Sequence, residues 1–182
     1  WKSCDFPKRF KIIFIKNMCG IGGYIGLKKT KINLIHKSLK YLENRGPDFK
    51  NFKEYSFNAE RDKNVLFLHS RLSIIDLDSR ANQPYQYKNY SIIYNGEIYN
   101  YLEIKNELEK KGINFKTTSD TEVLIKSYVY FGKRFLEKLE GMWSFAIFDK
   151  LKGKIILSRD RFGEKPLFYS INPNGIYFSS DI

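Results

Sequence analysis

Cysteine and histidine are scarce in this 182-residue chain, which has two of each. Cys4 and Cys19 could form at most one disulfide, too few for the framework of a small disulfide-stabilised secreted domain. No cluster of histidine and cysteine has the spacing of zinc ligands, so we expect no metal site. Long hydrophobic runs are also missing, and residues 12–15 form one of the longest. A membrane-spanning helix needs about 20 apolar residues, so we expect no membrane segment and no membrane partner.

Acidic residues are few relative to basic ones, 20 against 32 lysines and arginines, which leaves a net charge of +12. Such an excess could indicate a nucleic-acid partner. However, the basic residues are spread along the chain and 24 of them are lysines, whereas nucleic-acid-binding proteins more often concentrate arginine on one stripe. The lysine excess is typical of an AT-rich coding sequence, so we expect no nucleic-acid binding. Hydrophobic residues make up 42% of the chain, which excludes a disordered, highly charged protein.

The hydrophobic pattern predicts one α+β domain of antiparallel sheets with helices on the outside. Strands are predicted over residues 19–27, 52–57, 64–69, 90–94, 142–149, 154–158, 167–171 and 176–179, the last four as a meander. Helices are predicted over residues 32–44 and 101–111 and after Ser119, the predicted N-cap of a capping box with Glu122. Residues 78–88 are predicted to be a polar loop, and Asn95-Gly96 has the composition of a turn.

Cys19 is a candidate nucleophile, although most free cysteines are small buried hydrophobic residues. If translation starts at Met18 and the methionine is removed, Cys19 becomes the first residue. Its own α-amine, with an ordinary pKa of about 7.7–8.0, could then act as the general base on the thiol. A dyad of Cys19 with His36 or His69 is the alternative. His36 lies in a predicted amphipathic helix, which favours a structural role, and His69 adjoins Ser70-Arg71.

Three polar positions could complete a binding site, although each has an ordinary interpretation as well. Asn95-Gly96-Glu97 could be a hairpin turn, or an oxyanion hole in which the side-chain amide and the glycine N–H stabilise a developing alkoxide. Arg71 could be a surface cation or could hold a carboxylate with two parallel hydrogen bonds. Glu97 and Asp120 could be surface acids or could together bind an ammonium group. A thiol beside one group that binds a carboxylate and another that binds an ammonium group is typical of acyl transfer from a free amino acid.

Several segments occur together in the order found in one family. They are MCGIGG (18–23), RGPD (45–48), HSRLSIID (69–76), NQP (82–84), YNGEIYN (94–100), SDTE (119–122), GMWSFA (141–146) and SRDRFGEKPL (158–167). The combination resembles the class II glutamine amidotransferase domain of glutamine-hydrolysing asparagine synthetase, and the match covers residues 18–182. The forms of segments 71–76 and 94–100 resemble the asparagine synthetase branch more than the sugar-phosphate or purine branches.

The resemblance implies an N-terminal-nucleophile hydrolase fold, a four-layer α/β/β/α sandwich of antiparallel sheets. It implies that the Cys19 thiol attacks the side-chain amide of L-glutamine to form a γ-glutamyl thioester. Ammonia leaves, and water then releases glutamate. The Asn95 side chain and the Gly96 N–H would form the oxyanion hole, and no metal or other cofactor is needed for this step.

The resemblance also implies how glutamine is held. Arg71 would bind its α-carboxylate, and Glu97 and Asp120 its α-ammonium group. Further residues are implied to line or support the pocket. These are the backbone of Leu72, Ser73, Ile74 and Ile75, the loop residues Arg45 and Asp48 near the nucleophile, and His69 beside Arg71.

Residues 1–17 precede the nucleophile and are expected to be an N-terminal extension outside the mature domain of residues 18–182. If they stay attached, Cys19 has no free amine and the chain would be an inactive pseudo-amidotransferase, a scaffold or interaction domain. The resemblance implies that a C-terminal synthetase domain, with ATP and Mg, follows in the full-length protein and converts aspartate to asparagine. A sugar or secondary metabolite is the alternative acceptor. A cytoplasmic location is expected, and a homodimer is compatible with the resemblance.

Overall fold

The computed structural model describes residues 18–58, 62–72 and 78–182. The expectations for residues 1–17 and for Ser73, Ile74 and Ile75 lie outside these described residues. The strands are β1 (Gly20–Gly26), β2 (Phe49–Asn58), β3 (Asp62–Arg71), β4 (Tyr85–Tyr87), β5 (Tyr90–Ile98), β6 (Gly141–Asp149), β7 (Lys154–Arg159), β8 (Phe168–Asn172) and β9 (Gly175–Ser179). The α-helices are α1 (Ile32–Leu42), α2 (Tyr101–Glu109) and α3 (Asp120–Phe131), with short 3₁₀ helices at Ser79–Ala81 and Gly132–Lys138.

The strands form two antiparallel sheets. The first sheet has the order β2-β3-β1-β9-β8 and the second sheet the order β4-β5-β6-β7. The expectation that the last four strands form a meander is therefore wrong. After β6 and β7 the chain returns to the first sheet, where β9 pairs with β1 and places Ser179 opposite Gly22. This pairing joins the two ends of the described chain, a long-range contact that local patterns do not encode.

Three apolar layers hold the elements together. Between the sheets, Ile21, Phe67 and Phe148 belong to one buried cluster. On the outside of the first sheet, α1 packs Ile35, Leu39 and Leu42 against Leu66 and Leu68, and on the outside of the second sheet α2 and α3 bury a third cluster. Adjacent residues of β3 therefore point to opposite layers, as the two-residue period of a strand requires. The fold is a four-layer α/β/β/α sandwich, which confirms the expected fold class.

Packing beneath α1 explains part of the glycine-rich character of β1. A Cβ atom on Gly20 would lie 3.1 Å from the Cβ of Leu42, and one on Gly22 would lie 3.5 Å from the same side chain. The contact at Gly20 is tighter than usual, so a side chain there would press on the helix, whereas the contact at Gly22 is at an ordinary van der Waals distance. The absence of a Cβ lets α1 approach closely.

Asn95 and Gly96 lie inside β5, so the expectation of a turn at this point is wrong. Asn95 pairs with Ser144 and Gly96 with Trp143 along the neighbouring strand β6. A Cβ atom on Gly96 would lie 2.2 Å from the carbonyl oxygen of Met142, so the glycine permits a close approach of two strands. Pairing with β6 outweighs the local turn preference of the Asn-Gly pair. The loop predicted over residues 78–88 likewise contains the strand β4.

Candidate active site

One cavity of about 500 Å³ lies at the ends of β1 and β3, beside β5 and the N-terminus of α3. Its lining consists of residues far apart in the sequence: Met18, Cys19, Arg71, Leu72, Ala81, Gln83, Tyr94, Asn95, Gly96, Glu97, Ser119, Asp120, Thr121, Met142, Glu164 and Lys165. Every nucleophile, oxyanion and glutamine-binding residue that was predicted within the described ranges is among them. Arg45, Asp48 and His69 are outside the lining but adjoin it.

The Cys19 sulfur lies against the backbone of Leu72, immediately after β3. The Leu72 N–H donates to Sγ at 3.3 Å, and the thiol lies 3.5 Å from the Leu72 carbonyl oxygen. Burial raises the pKa of the thiol, an effect that the Leu72 N–H, Arg71 and Lys165 oppose and that Asp120 reinforces. The thiol is therefore predominantly protonated at neutral pH. A nucleophilic role requires a general base nearby.

His69 does not supply that base. It is fully buried in β3, and neither ring nitrogen makes a hydrogen bond to Cys19. Burial lowers the pKa of His69 to about 3, with the backbone of Tyr94 opposing the shift and Arg71 adding to it. The imidazole is neutral and is not paired with the thiol. The structure therefore does not form the alternative dyad of Cys19 with His69.

The loop that contains Arg45 and Asp48 contacts the backbone of the nucleophile and of Arg71. Arg45 Nε donates to the Cys19 carbonyl oxygen at 3.4 Å, and the Met18 N–H donates to the Arg45 carbonyl oxygen at 3.0 Å. The Asp48 N–H donates to the Arg71 carbonyl oxygen at 3.0 Å. This loop therefore holds the chain on both sides of Cys19 and positions the end of β3.

Asn95 is a buried polar residue in the lining of the cavity. The residue is 2% exposed, and Nδ2 has no hydrogen-bond partner among the described residues. Leaving a buried amide donor unpaired is unfavourable, and such groups are rare in folded proteins unless they serve a ligand or a reaction. Because Asn95 and Gly96 both line the cavity with Cys19, the amide is available for a developing negative charge.

Arg71 is the last residue of β3, and residues 78–82 hold its side chain. Its Nη1 donates to Asn82 Oδ1 at 2.6 Å and to the Asp78 carbonyl oxygen at 3.2 Å. The guanidinium is buried and lines the cavity. A cation fixed in this way can bind a carboxylate without a large loss of side-chain entropy.

Asp120 is the first residue of α3 and is also buried. Its Oδ2 accepts hydrogen bonds from the Tyr94 hydroxyl at 2.8 Å and from the Ile98 N–H at 3.3 Å. Burial raises the pKa of this carboxyl group, although both hydrogen bonds lower it. Glu97 is exposed at the edge of the same cavity. Together the two acids make this side of the cavity suitable for a cationic group.

Sequence reasoning did not assign roles to several residues that organise the site. Gln83 accepts from the Tyr94 N–H at 2.6 Å and donates to Thr121 Oγ1 at 3.2 Å, which ties β5 to the start of α3. Tyr94 in turn orients Asp120. The NQP segment (82–84) was the only signal for Asn82 and Gln83, and SRDRFGEKPL (158–167) the only one for Lys165.

No group of three or more histidine, cysteine, aspartate or glutamate side chains in the described ranges could hold a metal ion. Among those same residues, no helix is long and apolar enough to cross a membrane.

The chain is similar to known proteins in family, sequence and fold. The family model of the glutamine amidotransferase domain matches residues 18–182. Asparagine synthetase (glutamine-hydrolysing) 1 of Bacillus subtilis is 40% identical over 171 residues, which cover 90% of this chain and 26% of that protein. Asparagine synthetase 3 of the same organism is 36% identical over 172 residues, 91% of this chain and 27% of the relative. The chain thus spans about a quarter of the length of these relatives.

A solved structure has the same fold. It is the glutamine phosphoribosylpyrophosphate amidotransferase of B. subtilis in complex with ADP and GMP, with a TM-score of 0.69 and 21% identity. The superposition covers 89% of this chain and 42% of the other. The match of the family model, supported by these likenesses, places the chain in the family of glutamine amidotransferase domains.

Proposed function

We propose that this domain hydrolyses the side-chain amide of L-glutamine to glutamate and ammonia through a thioester on Cys19. One observation carries the proposal: a thiol, a buried amide whose donor is unpaired among the described residues, a buried guanidinium and a buried carboxylate surround a single cavity. The sizes and charges of these groups match the parts of glutamine. A free amino acid offers a carboxylate and an ammonium group at one end and the reactive amide at the other.

Binding would orient the substrate by its charged end. Arg71 would hold the α-carboxylate, because a guanidinium can form two parallel hydrogen bonds to it. Asp120 and Glu97 would hold the α-ammonium group on the opposite side. The glutamine side chain would then extend toward Cys19 and present its amide carbon to the sulfur. Holding both ends makes the attack effectively intramolecular.

The reaction would then proceed in two balanced stages. In the first, Cys19 Sγ forms a bond to the amide carbon while its proton passes to the base, and the carbonyl oxygen becomes an oxyanion. Asn95 Nδ2 and the Gly96 N–H would donate to this oxyanion. The C–N bond breaks as the base returns its proton to the nitrogen, and ammonia leaves. In the second stage, water attacks the thioester, the C–S bond breaks, and glutamate is released with the thiol restored.

The base would be the α-amine of Cys19, which requires that residues 1–18 be absent from the active form. In the 182-residue chain, the Cys19 nitrogen belongs to the peptide bond that follows Met18. A free α-amine titrates near neutral pH and can accept the thiol proton. Retention of the preceding residues would leave an inactive pseudo-amidotransferase, which is the competing proposal for this chain.

The ammonia is proposed to serve an ATP-dependent synthetase domain that amidates aspartate. The support is the name of the relatives, asparagine synthetase (glutamine-hydrolysing), whose sequences extend well beyond the span of this chain. ATP and Mg would be needed only there, and the glutaminase step in a cytoplasmic setting would need no cofactor. Another acceptor, such as a sugar or a secondary metabolite, would be distinguished by supplying each candidate to the full-length protein and following amide formation.

A glutaminase assay of a chain that begins at Cys19 tests the proposal. We expect glutamate and ammonia to form from glutamine, and the Cys19→Ala variant of that chain to lose the activity. The 182-residue chain should be slower by about 10²–10⁴-fold, the usual contribution of a general base. Cys4→Ser in the 182-residue chain is the matched thiol control and should change nothing.

Two results would contradict the proposal in separate ways. Undiminished glutamine hydrolysis by Cys19→Ala would remove the nucleophile assignment. Equal activity of the 182-residue chain and the chain that begins at Cys19 would remove the α-amine as the base.

A further inference from the structure

Lys165 is a buried cation that has no assigned role in the reaction described above. The residue is 8% exposed and lines the cavity together with Cys19. Its Nζ lies 2.8 Å from the sulfur of Met18, the residue that precedes the nucleophile. A thioether is a weak hydrogen-bond acceptor, and burial of a poorly paired ammonium group is unfavourable. The position of Lys165 therefore calls for a partner that the described residues supply only weakly.

The loop that carries Lys165 is held in place by an unusually complete set of hydrogen bonds. The carboxylate of Asp160 accepts from four backbone N–H groups, those of Trp143, Phe162, Glu164 and Lys165. Arg159 Nε donates to the Lys165 carbonyl oxygen at 2.8 Å, and the same guanidinium donates to the Gly163 carbonyl oxygen. Gly163 has a φ angle of +67°, which favours glycine. The fold thus fixes the backbone from which the Lys165 side chain enters the cavity.

The signs of the charges that line the cavity are those expected for mutual stabilisation of an ammonium group and a thiolate. Lys165 and Arg71 favour the thiolate of Cys19, and Asp120 disfavours it. Burial lowers the pKa of the Lys165 ammonium group and Arg45 adds to this shift, whereas Glu164, Glu97 and the Cys19 thiolate oppose it. Opposite charges in a partly dehydrated cavity attract more strongly than in water.

We propose that Lys165 is a positioning residue for the nucleophile, whose buried ammonium group stabilises the Cys19 thiolate across the cavity that both side chains line. Its positive charge replaces part of the stabilisation by water that the thiolate loses on burial. This inference rests on the proposed function in taking Cys19 as the nucleophile. It concerns the thiol itself, so it can fail while glutamine hydrolysis stands, and it can hold in a chain that does not hydrolyse glutamine.

The test measures the thiol directly, in the 182-residue chain with Cys4 replaced by serine so that Cys19 is its one thiol. The rate of alkylation by iodoacetamide is recorded against pH for the parent chain and for Lys165→Gln, Lys165→Arg and Lys111→Gln. Lys111 is an exposed lysine after α2, outside the cavity lining, and serves as the matched control. Circular dichroism and the melting temperature show whether each variant is folded.

We expect Lys165→Gln to shift the midpoint of the alkylation profile to higher pH and to lower the rate near pH 7.5 about three- to tenfold, the effect of about 0.5–1 pKa unit. Lys165→Arg should retain the parent profile because it keeps the charge, and Lys111→Gln should also match the parent. The inference is overturned if Lys165→Gln leaves the midpoint unchanged, if Lys165→Arg shifts it as much as Lys165→Gln, or if Lys111→Gln has the same effect.

A second measurement needs no substitution at Lys165, in case that variant does not fold. Electrostatic coupling is reciprocal, so in the pH range in which Cys19 is ionised, removal of its thiolate must lower the affinity of Lys165 for its proton. Cys19 is blocked with methyl methanethiosulfonate, a small reagent, and the labelling of Lys165 by acetic anhydride is followed against pH by peptide mass spectrometry. Above the alkylation midpoint of Cys19, where the thiolate is present in the unblocked chain, blocking should increase the rate at which Lys165 is labelled. An unchanged rate in that pH range would overturn the inference.

Discussion

At the scale of single residues, the burial of Asp120 disfavours the negative charge that binding of an ammonium group would need. Burial raises the pKa of its carboxyl group, so the surroundings disfavour the charged form. A bound ammonium group would need that charged form. The folded state therefore binds a proton at Asp120 more tightly than the unfolded state does, and this residue makes the free protein less stable as the pH rises.

We expect Asp120→Asn to separate binding from stability. The amide keeps the shape and can still accept from Tyr94 and Ile98, but it removes the buried charge. The KM for glutamine should rise by tenfold or more, while the melting temperature of the free protein at neutral pH should rise. In the unsubstituted chain that begins at Cys19, KM should rise as the pH falls, because Asp120 takes up a proton. The rise should begin at a higher pH than an aspartate with an ordinary pKa would give.

Steady-state kinetics and thermal unfolding check this expectation on the same preparation. Asp181→Asn, a change at an exposed aspartate, is the matched control and should alter neither quantity. A variant with an unchanged KM would show that Asp120 does not hold the substrate, and a lower melting temperature would show that its charge is not disfavoured.

At the scale of elements, a buried ion pair organises the first turns of α3. Glu122 Oε1 lies 2.5 Å from Lys126 Nζ, and their side chains are 0% and 3% exposed. Glu122 also accepts from the N–H groups of Lys116 and Thr117 and from the Thr117 hydroxyl. Its carboxylate therefore does not return to Ser119, so the predicted capping box is wrong, although Ser119 caps the helix by accepting from Thr121 at 3.2 Å.

We expect Lys126→Met to destabilise the protein by about 3–5 kcal/mol, because it leaves the Glu122 carboxylate buried without its cation. The double variant Glu122→Gln with Lys126→Met should recover much of the loss, since no buried charge is then left unpaired. Chemical denaturation followed by circular dichroism measures both.

The exposed pair of Lys138 and Glu107, with side chains 39% and 41% exposed, offers the control. Lys138→Met should cost less than about 1 kcal/mol because water replaces the partner. Equal losses for Lys126→Met and Lys138→Met would show that burial of the first pair has no energetic consequence.

At the scale of the whole molecule, the layer between the sheets makes the four-layer sandwich a single unit. The ring centroid of Phe148, in the second sheet, lies 5.3 Å from that of Tyr55 and 5.6 Å from that of Phe57, both in the first sheet. Each sheet alone would expose one apolar face to water. The two sheets should therefore unfold together rather than in turn.

We expect Phe148→Ala to lower the free energy of unfolding by about 3–5 kcal/mol and to preserve one cooperative transition. Near-ultraviolet and far-ultraviolet circular dichroism should give the same midpoint, at a lower temperature than in the parent chain. Leu151→Ala, at a leucine that is 77% exposed, should change stability by no more than about 0.5 kcal/mol. Two separate transitions in Phe148→Ala would contradict the single unit.

Local patterns predicted most elements, because their causes are local. The periodicity of Ile32, Ile35, Leu39 and Leu42 places α1, and the serine before the acidic SDTE run (119–122) marks the start of α3. Asn95-Gly96 was misread as a turn because pairing with β6 outweighs the preference of two residues. The capping box was misread because Lys126 and Thr117 compete for Glu122, and neither contact is visible in a four-residue pattern.

The sequence by itself determined the α+β class, most of the elements and, through its ordered motifs, the family and the residues proposed to act. Only the tertiary structure decided that Cys19, Arg71, Asn95 and Asp120 surround one cavity, since strand order depends on contacts between residues far apart. It also decided which buried groups are paired. Asn95 Nδ2 has no partner among the described residues and Lys165 has only a weak one, and burial is what turns these ordinary side chains into candidates for chemistry.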